Sequence, residues 1–138
     1  MSAAPWSGAL AIGVGWAALD ARLGKNTAHA HLAHQVILGL DGEVVVTTNS
    51  EIIAPKGKAI HIPAGQTHSI GLEGRLTRSI YIDPRFSGIR NDQQCNQPAC
   101  LSDDLSAALE RITDTNQARD WAKRFAGRLP GSAIDSRL

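Results

Sequence analysis

From Gly8 to Asp83 the chain is a succession of short apolar or alternating runs cut apart by glycines, with no helix-length amphipathic segment between them. Side chains alternate faces along a strand, so short runs of this kind are the pattern of strands with at least one buried face. Gly8 to Gly15, Trp16 to Leu23, Gln35 to Leu40, Glu43 to Thr48, Lys58 to Ile62 and Leu76 to Ile82 all read as strands, with shorter pieces near Glu51 and Ser69. Asp41-Gly42 sits between two such runs and is a hairpin signal. Many short strands without intervening helices can bury their apolar faces only against one another, which implies a mainly β sandwich or barrel.

After Pro84 the period changes. Leu105, Ala108, Leu109 and Ile112 recur at helical spacing behind a capped, acidic start at Ser102, Asp103 and Asp104. Ala118, Trp121, Ala122, Phe125 and Leu129 repeat the pattern until Pro130-Gly131 stops it. These are two amphipathic C-terminal α-helices. Their apolar faces either cover the flank of the strand layer or, through Trp121 and Phe125, anchor a homodimer. The expected organisation is one structural domain, residues 1–84 forming the β part and 85–138 a helical extension packed on it or on a partner subunit. At 138 residues and 43% hydrophobic content the chain can bury a core of its own, but not two full domains.

Charge and the ends of the chain exclude several classes. The formal net charge of +1 gives no broad basic field, so direct nucleic acid contact by this chain is not expected. Met1 to Leu10 lacks a basic leader and is broken by Pro5 and Gly8, which does not fit a signal peptide, and no apolar run is long enough to span a bilayer. The expected compartment is the cytoplasm. There Cys95 and Cys100, enclosing Asn-Gln-Pro-Ala, stay reduced; the pair lacks the second cysteine pair of a zinc framework and reads as two loop thiols before a disulfide or metal site.

Chemistry concentrates in two stretches. His29 and His31 flank Ala30, and Gln35 follows after three more residues; further on, Pro63-Ala64-Gly65 precedes His68 by two residues. An H-x-H pair on a strand projects both imidazoles from one face, Gln35 joins that face if the strand continues, and a Pro-x-Gly turn swings His68 in from a neighbouring strand. His29, His31, Gln35 and His68 are therefore the candidate ligands of one divalent transition metal. Imidazole suits zinc, iron, nickel, copper or manganese better than magnesium or calcium. The alternative is a set of barrel histidines without a metal. His34 points away from the H-x-H face on an unbroken strand, and His61 faces opposite to Ile60 and Ile62, toward either a cavity or solvent.

The two stretches resemble the cupin motif pair, G-x5-H-x-H-x3,4-E-x6-G and G-x5-P-x-G-x2-H-x3-N, with Gly42 and Gly57 in place. Gln35 stands where the family usually has glutamate, Gly24 precedes His29 by four residues instead of five, and Leu72 stands at the asparagine position. The resemblance implies a cupin jelly-roll β-barrel with the two helices appended. More narrowly, His-Ala-His-Leu-Ala-His-Gln, Ile-Pro-Ala-Gly-Gln-Thr-His-Ser and Ser-Ile-Tyr-Ile-Asp-Pro are similar to the amino-terminal sensor domain of AraC-type transcriptional regulators. That likeness implies an effector-binding and dimerisation domain for a small polar or anionic molecule, with Ile134 to Leu138 about where a linker leads toward DNA-binding helices. The competing function is a stand-alone metal-dependent cupin enzyme, an isomerase or dioxygenase. Candidate proton-transfer groups are few, with Glu51 and Glu73 near strand ends and Tyr81 late in a strand, which favours the binding module over the enzyme.

Overall fold

The structure, a computed structural model, describes residues 10–24, 28, 30, 32–86 and 97–127. Nine strands and two helices follow in order: β1 Leu10–Gly13, β2 Trp16–Arg22, β3 His34–Gly39, β4 Val44–Thr47, β5 Glu51–Ala54, β6 Ala59–Ile62, β7 Ser69–Gly71, β8 Leu76–Ile82, β9 Ala99–Cys100, α1 Asp103–Glu110 and α2 Thr115–Ala126. The strands form two sheets, one ordered β1-β2-β8-β3-β6-β9 and one ordered β5-β4-β7. Every pairing is antiparallel. The expected barrel is thus an unclosed jelly-roll sandwich of two layers. Each expected strand between Leu10 and Ile82 is present, shifted by a residue or two at its ends.

The expected helical extension of residues 85–138 is not wholly helical. Ala99–Cys100 adds an edge strand to β6, and Cys100 is an exposed free thiol there; Cys95 lies outside the described residues. The tight two-residue strand has too little period to be legible in a sequence. None of the helices among the described residues is long and apolar enough to cross a membrane.

The large sheet divides the core in two. Its inner face, with Ile37, Ile60 and Ile62, packs on Val44, Val46, Ala54 and Ile70 of the small sheet. Its outer face, with Trp16, Ala18, Val36, Leu38, Ile80 and Ile82, packs on Leu105, Leu109, Ile112, Ala118, Trp121, Ala122 and Phe125 of the helices. α1 begins as the sequence predicts, with the Ser102 side chain accepting from the Leu105 N–H; α2 begins at a cap that the helical spacing did not mark, where the Asp114 side chain accepts from the Gln117 N–H. Of the two roles open to Trp121 and Phe125, the chain's own sheet takes them. Both are buried, stacked with ring centroids 5.3 Å apart, and the Trp121 indole donates to the Leu105 carbonyl at 3.0 Å. They are therefore not anchors offered to a partner.

The helices are fixed by one buried cation. Arg78 on β8 donates through Nε and Nη2 to both carboxylate oxygens of Asp20 on β2, each at 2.9 Å. Its Nη1 lies 3.0, 2.8 and 3.0 Å from the carbonyl oxygens of Leu109, Glu110 and Ile112 at the end of α1. A helix C-terminus carries partial negative charge and unsatisfied carbonyls. No basic residue lies in the last turn of α1, so the sheet supplies the complementary charge.

Two turns show how the motif spacing acts. Pro63-Ala64-Gly65-Gln66 closes with the Gln66 N–H on the Pro63 carbonyl at 3.2 Å, and Gly65 takes φ +81°, the conformation that its position in such a turn requires. Leu72, at the asparagine position of the cupin motif that the sequence resembles, has φ +74°, where asparagine is tolerated and leucine is strained.

Replacing Arg78 with Met leaves Asp20 buried and unpaired, and urea unfolding is expected to show a loss of about 3–5 kcal/mol. A loss below about 1 kcal/mol would mean that the pair does not fix the helices. Leu72→Asn is expected to relieve left-handed strain and stabilise the fold by about 1 kcal/mol, read as a rise in thermal midpoint.

Candidate functional site

Alternation along β3 sends neighbouring side chains to opposite compartments. Gln35 and Ile37 face the space between the sheets; His34, Val36 and Leu38 face the helices. Antiparallel register sets Gln35 opposite Tyr81 and Ile37 opposite Ser79 on β8, and Gln35 opposite Ile62 on β6. The result is a small polar cluster on an otherwise aliphatic inner wall. Gln35 Nε2 donates to Ser79 Oγ at 3.2 Å and to Tyr81 Oη at 3.3 Å. Its Oε1 is buried without a hydrogen-bond partner. A buried amide oxygen in that state is costly in an apolar wall and suited to a donor or a cation brought by a ligand. Burial raises the pKa of the Tyr81 phenol above its usual value, so it keeps its proton near neutrality. Tyr81 also lines a cavity of about 250 Å³ with Ala17, Leu32 and Ala33 at one end of the sandwich.

His68 comes from the other layer. It immediately precedes β7, on the side of Ile70, whose side chain belongs to the inter-sheet core. The ring is buried, and its Nδ1 lies 2.8 Å from the Gln66 carbonyl oxygen. A carbonyl only accepts, so Nδ1 carries the proton and Nε2 carries a lone pair, the tautomer of a metal-ligating imidazole. The Pro-x-Gly turn thus delivers the buried histidine that the spacing predicts.

The first motif behaves differently from the expectation of one continuous strand. Ala30 is outside any strand, residues 32–33 bend, and β3 begins only at His34. His29 and His31 lie outside the described residues. Of the four candidate ligands, then, the structure describes Gln35 and His68, both buried in the inter-sheet layer. Among the described residues no three His, Cys, Asp and Glu side chains form a group able to hold a metal.

On the opposite face of the same sheet, His34 and His61 meet beneath α2. His34 Nδ1 and His61 Nε2 are 3.0 Å apart, and the Ala64 N–H points at the same His34 Nδ1 at 3.3 Å. An N–H only donates, so His34 Nδ1 accepts and His61 Nε2 supplies the other proton. The proton of neutral His34 is therefore on Nε2, which is buried and has no hydrogen-bond partner. Phe125 sets its edge against His61, with ring centroids 5.0 Å apart. Burial, and then the neighbouring His34, lower the His61 pKa from 6.5 to about 3; burial lowers that of His34. Alternation placed His34 away from the H-x-H face and left His61 open between cavity and solvent; their partnership depends on the β3–β6 register, which no local spacing displays.

No family model and no curated protein matches the sequence. Solved structures do. The apo K231A form of ToxT from Vibrio cholerae aligns with 85% of this chain and 55% of its own at TM-score 0.55 and 11% identity. A protein of unknown function of the DUF861 family from Pseudomonas syringae pv. tomato aligns with 67% of this chain and 38% of its own at TM-score 0.52 and 16% identity. The fold is that of the cupins. At these identities the likeness is one of fold alone, and the chain spans about half of ToxT or less of the Pseudomonas protein. Within the cupin frame, Gln35 and His68 sit in the inter-sheet layer, and the two helices close the opposite side of the large sheet.

The buried histidine pair generates a pH dependence with a defined sign. Folded His61 takes its proton only near pH 3, whereas in the unfolded chain it does so near 6.5. Between those values the unfolded chain binds more protons, so stability falls as pH drops through the window. Urea midpoints measured from about pH 7 to about pH 4.5 are expected to decline, and His61→Leu to flatten that decline. An unchanged slope in the variant would place the acid sensitivity elsewhere.

Proposed function

We propose that this chain is a small-molecule-sensing cupin domain, the effector-binding and dimerisation part of an AraC-type transcriptional regulator, with a small polar or anionic molecule bound between its sheets. The observation that carries the reading is Gln35: a buried amide fixed by Ser79 and Tyr81, with its own oxygen left for something not part of the wall. ToxT, an AraC-type regulator with a cupin-like domain, supports it, because an alignment over 85% of this chain extends beyond the strands. DNA contact would belong to another part of such a regulator, in keeping with the net charge of +1. The dimer surface lies elsewhere than Trp121 and Phe125, which are buried in the chain itself.

Gln35 and His68 fit a divalent transition metal. The Gln35 oxygen is unsatisfied, and the His68 tautomer presents Nε2. In this reading His29, His31, Gln35 and His68 hold the ion, which would supply a Lewis-acidic point for a carboxylate or enolate oxygen. Four neutral ligands leave the ion's charge uncompensated, so an acidic effector is preferred over a neutral one. Gln35 is oriented by Ser79 and Tyr81, and Tyr81 also lines the cavity of about 250 Å³.

The second reading, a metal-dependent cupin isomerase or dioxygenase, gains one group from the geometry. Tyr81 stands beside Gln35 with a raised pKa and so is equipped to hold or donate a proton, though poorly suited to remove one. One group of that kind meets half of the requirement for proton shuttling, which keeps the sensor ahead.

Elemental analysis of tag-free protein, followed by calorimetry with small organic acids before and after chelator treatment, tests the metal-centred reading. Retained metal is expected, with weaker binding of acids after chelation. Gln35→Glu is expected to hold metal more firmly and to bind acids less well, because a carboxylate repels them. Affinity indifferent to chelator, Gln35→Glu and His68→Ala would leave a sandwich that binds without a metal. Ligand-independent monomers in sedimentation would remove the dimerisation role.

A further inference from the structure

A groove outside the sandwich runs between the β1–β2 hairpin and α2. It encloses about 670 Å³ and is lined by Ile12, Val14, Trp16 and Phe86 on one side and by Arg119 and Lys123 on the other. That volume is in the range of small-molecule sites, which combine an apolar wall with few polar groups. The hairpin is shaped to its aromatics. A Cβ on Gly13 would come within 2.2 Å of the Trp16 indole, and one on Gly15, which also has φ +84°, within 2.8 Å of the Phe86 ring. Glycine at both positions lets the rings lie directly against the backbone.

Two features of the groove call for an occupant. Ile12 is 66% and Val14 93% exposed, two large aliphatic side chains side by side on one hairpin instead of scattered over the surface. The rim also has surplus positive charge. Asp83 and Arg85 cancel each other through contacts of 3.2 Å. Arg119 reaches only its neighbour Asp120, at 3.5 Å, and Lys123 has no ion-pair partner among the described residues. Arg119 and Lys123 are four residues apart on α2, so two like charges project from one helix face, a mildly unfavourable pair that an anion between them would relieve.

We propose that this groove is a second binding site, distinct from the inter-sheet cluster, for a small organic anion with a flat apolar body and a single carboxylate. The body lies against Val14 and the hairpin aromatics, and the carboxylate sits between Arg119 and Lys123. Charge selects the acid over its neutral analogue, and the apolar wall selects it over inorganic anions. Because α2 also covers His61, an occupant of the groove rests on the same helix that closes the core.

Naphthoate, titrated calorimetrically into the full chain, is the probe. Saturable binding is expected, at least about fivefold weaker for naphthylmethanol, for Lys123→Gln and at high salt. Val14→Asp, at a position exposed enough to leave the fold intact by circular dichroism, is expected to abolish it. The proposal is overturned if naphthoate shows no saturable binding, if Lys123→Gln and Val14→Asp bind like the parent chain, or if Gln35→Ala is the variant that loses binding. The last result would assign the ligand to the inter-sheet site.

Discussion

The guanidinium of Arg78 is the point on which the two halves of the molecule depend. It lies between strands and helices, bonded on one side to the Asp20 carboxylate and on the other to three carbonyls at the end of α1. A charge buried this deeply is tolerable only because each of its three nitrogens is hydrogen-bonded and its counter-ion is bidentate. The geometry fixes where α1 ends over the sheet, and with it where α2 returns. The apolar cluster of Trp16, Val36, Leu38, Ile80, Leu109, Trp121 and Phe125 then follows from ordinary burial. Hydrophobic contact is not directional, so it could accept the helical hairpin in several rotations. The forked hydrogen bonds accept far fewer.

β3 shows how one strand serves two purposes. Its period of two sends Gln35 between the sheets and His34 beneath α2, one residue apart in sequence and in separate compartments. A slip of one residue in the pairing of β3 with β8 would exchange them, putting a histidine into the aliphatic sandwich and an amide against Phe125. The polar groups on the two faces have different environments. On the inner face an amide is oriented by two hydroxyls and keeps an oxygen in reserve; on the outer face two imidazoles share one hydrogen bond, leave His34 Nε2 without a partner, and stay neutral because they are buried.

Much of the fold was legible because strand alternation, turn chemistry and helix caps are local. The runs from Trp16 to Ile82, the Pro63-Ala64-Gly65 turn and the cap Ser102 all have their causes within a few residues. The same locality explains the misreadings. An H-x-H spacing suggests a strand, but nothing between His31 and His34 shows that the chain bends at 32–33 before β3 begins. Trp121 and Phe125 look the same on a helical projection whether the stripe meets its own sheet or another subunit. β9 is too short to carry a period.

The sequence by itself determined the element types, the amphipathic faces, and the buried histidine after the Pro-x-Gly turn, because each follows from backbone preferences and side-chain spacing over a single turn or strand. It also marked Leu72 as a departure, and the structure gave the reason: the position requires a left-handed backbone that asparagine accepts more readily than leucine. Only the tertiary structure decided which polar groups meet. Gln35 with Ser79 and Tyr81, His34 with His61, and Arg78 with Asp20 are separated by 44, 46, 27 and 58 positions. Such pairs arise from the register between strands distant in sequence, and register is set by the packing of the whole sandwich and its helices.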